Sequence, residues 1–555
     1  MFRRLAALAL ICACCSKSDI RQPAGDTPVP TSPTFTVMAL AEVRGQIGPC
    51  GCTSDPLGDI SRTAQVIADA RAKGPVIFVD AGSLLYSQNP ILPQVDAEED
   101  LKADLLANIY QSELQVAAIG LGPADIAKGP QKLRIPRTVS DTTGQYAGLA
   151  PALHEVGGAK VGVFGVIAKD AFAVDVTDPV AAGKAAVADL KQRGAQVVVA
   201  LVQASSKRDA VELIRSIGGI DLSVAGLGQN APEPENVEPE ATKIDSGWLV
   251  IPGNRGQVLS RIDVTLHGSG ALVDAVGPAA AQAKIARDDK ELASLDADLA
   301  KFAADPSADA NFVAAKKRER AQLAGERDAL KTTPLNAPAH GSFFTLSQIR
   351  INKLLACSVP AQTEVTKFYA AAGDANVKAA RSLPPLPVDK GKPTYVGDSG
   401  CTDCHGDAAN FWKKTVHAQA WQTLVERGQQ FDYECIGCHV TGFDKPGGST
   451  LANNDKLRDV QCETCHGPGS IHAAKNGEEK PLAIQLKPAD DLCASQCHTH
   501  EHSDTFQHDA YLRDITGPGH GEKFRATLGD GPTGHDLRKA ALDKAGHTLG
   551  AGCTR

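Results

Sequence analysis

Three Cys-x-x-Cys-His motifs lie within 66 residues near the C-terminal end: Cys401-Thr402-Asp403-Cys404-His405, Cys435-Ile436-Gly437-Cys438-His439 and Cys462-Glu463-Thr464-Cys465-His466. Two thiols two residues apart can meet the vinyl groups on one edge of a porphyrin as thioethers, and the adjacent His then supplies the proximal nitrogen to the iron. One motif could arise by chance, but three so close together point to covalent haem c. Zinc knuckles are the rival reading, yet zinc does not require His after every second Cys. A redox pair of thioredoxin type would need a βαβ pattern around it, and none surrounds these motifs.

A less regular fourth site follows. Cys493-Ala494-Ser495-Gln496-Cys497-His498 has three residues between its thiols, and the second Cys still precedes His. The expected role is a fourth attachment site, with Cys493, Cys497 and the proximal His498 joining His405, His439 and His466; a local disulfide is the alternative. Eight of the fifteen cysteines thus fall in a 97-residue stretch. Four haems in the part after Val396 would leave about forty residues for each, too few for an ordinary hydrophobic core. The haems must then supply that core, and crowding places them close enough to pass electrons. Carrier haems want a second strong axial ligand, and Met occurs only at positions 1 and 38. The remaining candidates here are His417, His472, His500, His502, His508, His520, His535 and His547, although any one alone is more often a surface residue.

The matching stretches are Thr415-Val416-His417-Ala418-Gln419-Ala420-Trp421, the run CIGCHVTGF from Cys435, the run QCETCHGPG from Gln461 with Ile471-His472, and Gly517-Pro518-Gly519-His520-Gly521. Over about residues 393–525 the chain resembles the tetrahaem cytochrome c-554 type family, which includes the nitrifiers' carrier that accepts electrons from hydroxylamine oxidoreductase. The resemblance implies bis-His ligation of three haems, with His417, His472 and His520 as distal ligands. It also implies one haem, on His439, without a distal protein ligand and open to a small ligand such as nitric oxide.

The N-terminus reads as an export signal. Met1-Phe2-Arg3-Arg4 is basic, residues 5–13 are apolar and too short to span a bilayer, and Leu10-Ile11-Cys12-Ala13-Cys14 resembles a bacterial lipobox. Lipidation at Cys14 is expected; a plain signal peptide would keep export and lose only the anchor. Residues 16–33 are polar and Pro-rich, a flexible tether. No later segment approaches the roughly 20 apolar residues of a membrane span. The formal charge of -8 argues against nucleic acid as a partner.

From 35 to 277, short aliphatic runs at 37–40, 76–80, 116–120, 161–166, 197–202 and 222–224 alternate with amphipathic stretches, and 249–251 and 259–266 add further β structure. This pattern predicts a layered α/β domain. The run from Gly45 to Cys52, Val79-Asp80-Ala81-Gly82 and the run from Ile220 to Gly226 resemble the metal-binding loops of the metallophosphatase domain in the bacterial 5'-nucleotidase family. A two-metal phosphoesterase needs carboxylate, His and Asn ligands at strand ends. Here the family's Asp-x-His-Gly reads Glu42-Val43-Arg44-Gly45, and Asp80 survives. Ser83 replaces the next acidic position, and Gly120-Leu121-Gly122-Pro123 replaces Gly-Asn-His-Glu. Gln203, Leu227 and Gln229 stand where later His residues belong. With one ligand left of about seven, phosphate ester hydrolysis is not expected.

Ile285, Leu292, Leu295, Leu299 and Phe302 lie on one helical stripe, and Phe312, Leu323 and Leu330 continue after Asp305-Pro306-Ser307. They predict an antiparallel helical hairpin. Cys50, Cys52, Cys357 and Cys553 remain for one or two structural disulfides of unreadable connectivity. The expected organisation is a lipoprotein signal peptide at 1–13, a tether at 14–34, a metallophosphatase-like domain at 35–278, a hairpin at 279–335, a connector at 336–392 and a mostly helical, loop-rich tetrahaem cytochrome c domain at 393–555. The functional expectation is an exported, lipid-anchored electron carrier between redox proteins at the periplasmic or outer face of a bacterial membrane. The alternative is a haem oxidoreductase acting on nitric oxide, hydroxylamine or nitrite, and a nucleotidase is the disfavoured third.

Overall fold

The structure is a computed structural model that describes residues 34–553, apart from 50, 269, 305–308, 333–336, 339, 340 and 385. The signal segment, Cys14, nearly all of the tether and Cys50 lie outside the described residues. No helix among those described is long and apolar enough to cross a membrane.

Among the described residues, twelve strands form two six-stranded mixed sheets. They are β1 (Phe35–Leu40), β2 (Val76–Asp80), β3 (Ala118–Ile119), β4 (Ala152–Val156), β5 (Ala159–Ile167), β6 (Val197–Gln203), β7 (Leu222–Gly226), β8 (Thr242–Ile244), β9 (Gly247–Val250), β10 (Val258–Thr265), β11 (Val273–Asp274) and β12 (Phe343–Arg350). The orders are β11-β12-β10-β1-β2-β3 and β4-β5-β6-β7-β9-β8. Helices α1 (Ile60–Arg71), α2 (Asp96–Ser112), α3 (Pro179–Gln192) and α4 (Lys207–Ile217) follow β1, β2, β5 and β6 in chain order. Alternation along the strands decides the layers, because successive side chains point to opposite faces. On β1, Val37 and Ala39 join Val161, Val199 and Leu201 in the core between the sheets. Met38 and Leu40 on the other face pack with residues of α1 and α2. On β6, Val198, Ala200 and Val202 pack outward against Ala186, Leu190 and Leu213 of α3 and α4. The result is a helix–sheet–sheet–helix sandwich, the expected layered α/β class.

Two stretches differ from the sequence expectation. The strand expected over 116–120 shrinks to Ala118–Ile119, because Gly120 turns away directly beneath the Ala81 carbonyl, 2.3 Å from where a Cβ would stand. The stretch read as a connector holds β12, which pairs with β10 from Val258↔Arg350 to Thr265↔Phe343. It also holds helix α7 (Val359–Ser382), which contributes Ala361, Val365, Phe368 and Ala372 to the core beneath α1 and α2. Residues 343–382 therefore complete the layered domain. Their β character was hidden because Phe343-Phe344-Thr345-Leu346 alternates for only a few residues.

Helices α5 (Pro278–Ala304) and α6 (Ala310–Thr332) form the expected hairpin. Its antiparallel register is marked by Arg320 with Asp296 at 2.9 Å, Arg327 with Asp289 at 2.7 Å and an edge-to-face Phe302–Phe312 pair. Beyond Pro393 the chain makes only short helices and turns. One small buried cluster forms there among the described residues, from Trp421, Ile436, Val440 and Leu451 with Ala380 of α7. Among the described residues one disulfide, Cys357–Cys553, spans 196 residues. Cys52 is a free thiol.

Candidate haem centre

The Cys-His units fold back through short turns of differing type. The His405 amide donates to the Cys401 carbonyl at 2.9 Å, and 462–466 is itself one short helix. In the irregular unit the His498 amide reaches the Cys493 carbonyl at 2.8 Å, five residues back. A wider, π-type turn thus absorbs the extra residue and returns His498 to the side of its cysteines.

The histidines form pairs. His405 and His472 have ring centroids 6.2 Å apart with planes at 20°, and His417 and His498 are 6.2 Å apart at 37°. An imidazole nitrogen bonds a first-row metal at about 2.0–2.1 Å, so two rings on opposite sides of one ion have centroids roughly 6 Å apart. His520 lies close enough to His466 for a charge on His466 to lower the pKa of His520. His439 belongs to neither of the two stacked pairs among the described residues, and it lies within electrostatic reach of His417. Its Nδ1 faces the Ala420 carbonyl at 2.6 Å.

Neighbouring groups set the tautomers. A ring whose Nδ1–H donates to a carbonyl or carboxylate presents Nε2 as the free lone pair. His439 does so to Ala420, His466 to the Gln485 carbonyl at 2.8 Å and His472 to Glu479 at 3.1 Å. His498 is held by Ser503 at 3.1 Å and stacked on Phe506 with centroids 5.0 Å apart. Burial and the neighbouring His417 push His498 down to about 4, and burial also lowers His417, His439 and His520. Rings with so little tendency to protonate at neutral pH are suited to an iron, which needs the neutral base.

The thiols are grouped as well. Cys401 lies within hydrogen-bond reach of Cys462, and Cys438 within reach of Cys497. Val416, beside His417, is 73% exposed, and Leu486, beside the carbonyl that holds His466, is 84% exposed. Apolar side chains next to axial rings and a nearly coreless fold are what covalent macrocycles would cover. The residues fit haem c.

Residues 400–467 match the family of cytochrome c554 and c-prime. Cytochrome c-554 of Nitrosomonas europaea is 35% identical over 91 residues, which is 14% of this chain and 39% of that protein. The chain therefore spans well under half the length of this curated relative. The C-terminal segment is thus similar to a multihaem cytochrome c, and the similarity supports haem c as its cofactor. The solved reduced cytochrome c554 of the same organism aligns at 23% identity over 26% of this chain and 85% of its own, with a TM-score of 0.18. The 5'-nucleotidase precursor of Thermus thermophilus aligns at 14% identity over 77% of this chain and 86% of its own, with a TM-score of 0.41.

The positions compared with metallophosphatase ligands do converge at strand ends, and they are filled by hydrogen bonds. Gln203, ending β6, donates to Glu42 and to the Ala81 carbonyl, both at 3.0 Å. Asp80, ending β2, accepts from the Tyr110 hydroxyl at 2.6 Å and the Gly82 amide at 2.7 Å. Arg44 donates to Gln229 at 2.7 Å and Asn254 at 2.8 Å. Burial raises Glu42 to about 7 and Asp80 to about 6, with hydrogen bonds offsetting only part of the cost. Sequence reading missed Asp125, which caps the Ser83, Leu84 and Gly122 amides and pairs with buried Arg137 at 2.9 Å. No motif marks it, since a lone Asp in a loop carries no signal.

A cavity of about 1430 Å³ lies between the two regions, with Arg44, Gln229 and Arg255 on one side and Cys435, His439 and Cys497 on the other. It exceeds the roughly 300–1,000 Å³ of ordinary ligand clefts. Lys102 joins its walls, bonding Glu98, Glu99 and Glu434 at 3.2 Å each.

Proposed function

We propose that this chain is an exported, lipid-anchored electron carrier with four covalent haems in a cytochrome domain over about 393–555, behind a layered domain that has no phosphatase chemistry. Attachment falls to Cys401 and Cys404, Cys435 and Cys438, Cys462 and Cys465, and Cys493 and Cys497. The axial pairs are His405 with His472, His466 with His520 and His498 with His417, leaving His439 single. When bound, haem iron supplies reversible one-electron chemistry. The chain's part is to hold neutral Nε2 atoms in place through Ala420, Gln485, Glu479 and Ser503. The observation that carries the reading is the 6.2 Å pairing of His405 with His472 and of His417 with His498, which suits low-spin carrier sites. The partners are redox proteins, and Cys14 supplies the anchor.

A second reading is favoured by one observation: His439 borders the interdomain cavity and belongs to neither stacked imidazole pair among the described residues, although His417 lies within electrostatic reach of it. An oxidoreductase acting there on a small nitrogen compound, such as nitric oxide, hydroxylamine or nitrite, is the alternative.

The test is the spectrum of the dithionite-reduced protein with and without carbon monoxide, with haem counted per chain. Four haems and no response support the carrier alone. Four haems with about one responding support an open iron on His439. No covalent haem would sink both readings.

A further inference from the structure

The groups that hold the Nδ1 atoms of the axial candidates differ in charge. His439 and His466 donate to the Ala420 and Gln485 carbonyls, and His498 is held by the Ser503 hydroxyl. These partners are neutral. His472 instead meets the Glu479 carboxylate at 3.1 Å.

The chain is shaped locally to make this contact. The helix Ser470–Ala474 is capped at Lys475, and Asn476 at φ 51° and Gly477 at φ 76° then reverse the backbone. A Cβ on Gly477 would stand 3.2 Å from Cε1 of the His472 ring, so glycine lets the loop close tightly against the imidazole. The reversal returns Glu479 to a ring seven residues earlier, with its side chain only 4% exposed. Its Oε1 also accepts from the Ala483 amide at 3.3 Å, whereas Oε2 is buried without a hydrogen-bond partner among the described residues. No Lys or Arg among those residues forms an ion pair with Glu479; its partner is His472. A buried carboxylate so sparsely compensated by the polypeptide is costly unless a positive charge lies near it. An iron held between His405 and His472 would be that charge, one imidazole away.

We propose that Glu479 sets a reduction potential, acting through His472 to make the haem between His405 and His472 the hardest of the chain's haems to reduce. The inference rests on the axial pairing given above. Reduction adds one electron from a one-electron donor, takes the iron from ferric to ferrous and removes one unit of positive charge, with no bond made or broken. A carboxylate bonded to Nδ1–H makes the imidazole a stronger base and favours the more positive, ferric state. The carbonyls at His439 and His466 and the hydroxyl at His498 carry no net charge and give no comparable bias. Electrons therefore settle on the haem beside Glu479 last, and from there they leave most readily.

The test is a spectroscopic redox titration of the full, haem-loaded chain, with haem counted per chain. Glu479→Gln keeps an acceptor oxygen for Nδ1–H and removes the charge. The lowest midpoint potential should rise, with reduction of that one haem favoured roughly tenfold, or about 59 mV for one electron, while the other midpoints hold. Glu479→Asp keeps the charge on a shorter arm, and its lowest midpoint should fall between those of Glu479→Gln and the unaltered protein. If Glu479→Gln purifies with fewer haems, the smaller rise in Glu479→Asp carries the test. A lowest midpoint unmoved at full haem count overturns the role of Glu479 and leaves the axial pairing standing, and so does an equal shift of every midpoint. If His472→Ala changes neither the midpoints nor the response to carbon monoxide, the pairing itself falls.

Discussion

The imidazoles of His405 and His472, 67 residues apart in sequence, come to a centroid separation of 6.2 Å with planes only 20° apart. His405 follows its cysteines in a tight turn. His472 sits in the short helix Ser470–Ala474, where Glu479 holds its Nδ1. At this separation there is room for one ion between the two rings.

Replacing His472 with Ala should free one coordination site without detaching any cofactor. The variant should carry the same haem count, and one more haem per chain should respond to carbon monoxide than in the unaltered protein. An unchanged response would show that His472 is not an axial ligand.

The irregular unit makes a prediction about number. Changing both Cys493 and Cys497 to Ala should lower the mass of the purified chain by one haem. The other three sites keep their own thiols. Loss of no haem would return these residues to the disulfide reading.

Glu42 makes a prediction about pH. Its carboxyl is buried and raised from 4.5 to about 7. The folded state therefore binds more protons than the unfolded one between those values, and stability falls as pH rises through that window. At about 1.4 kcal/mol per unit, the difference approaches roughly 3 kcal/mol above pH 7. Glu42→Gln should remove this slope and be the more stable form at pH 8, with little advantage at pH 4.5. Denaturation midpoints at the two pH values check it, and parallel profiles would refute it.

Lys102 is nine-tenths buried and shared by Glu98, Glu99 and Glu434. Lys102→Met would strand Glu98 and Glu99 without a counter-charge, at a cost of about 3–5 kcal/mol. The loss should show as a lower unfolding midpoint. A variant that also carries Glu98→Gln and Glu99→Gln should recover most of it. No recovery would place the effect elsewhere.

The attachment units were legible because their spacing is local: thiols two residues apart and an adjacent His form a pattern along the chain. The strand-end positions Glu42, Asp80 and Gln203 were legible through the resemblance to metallophosphatase loops, and the structure brings them to one place. The pairing of His417 with His498 and not with a nearer neighbour was not readable, because it depends on how short helices stack across many residues. Asp125 and Arg137 were invisible for the same reason, since burial turns an ordinary loop carboxylate into the cap of four amides. Strand β12 was missed because a half-buried strand of eight residues carries little periodic signal.

The Cys357–Cys553 bond has a further consequence. The cytochrome segment leaves the layered domain through the main chain after α7 and is bolted back to it at its far end, where the Cys357 amide also meets the Ala551 carbonyl at 2.9 Å. A segment moored at both ends cannot swing out on a hinge to meet a partner, as a module on a single linker can. Any partner of this segment must come to a fixed face of the whole molecule.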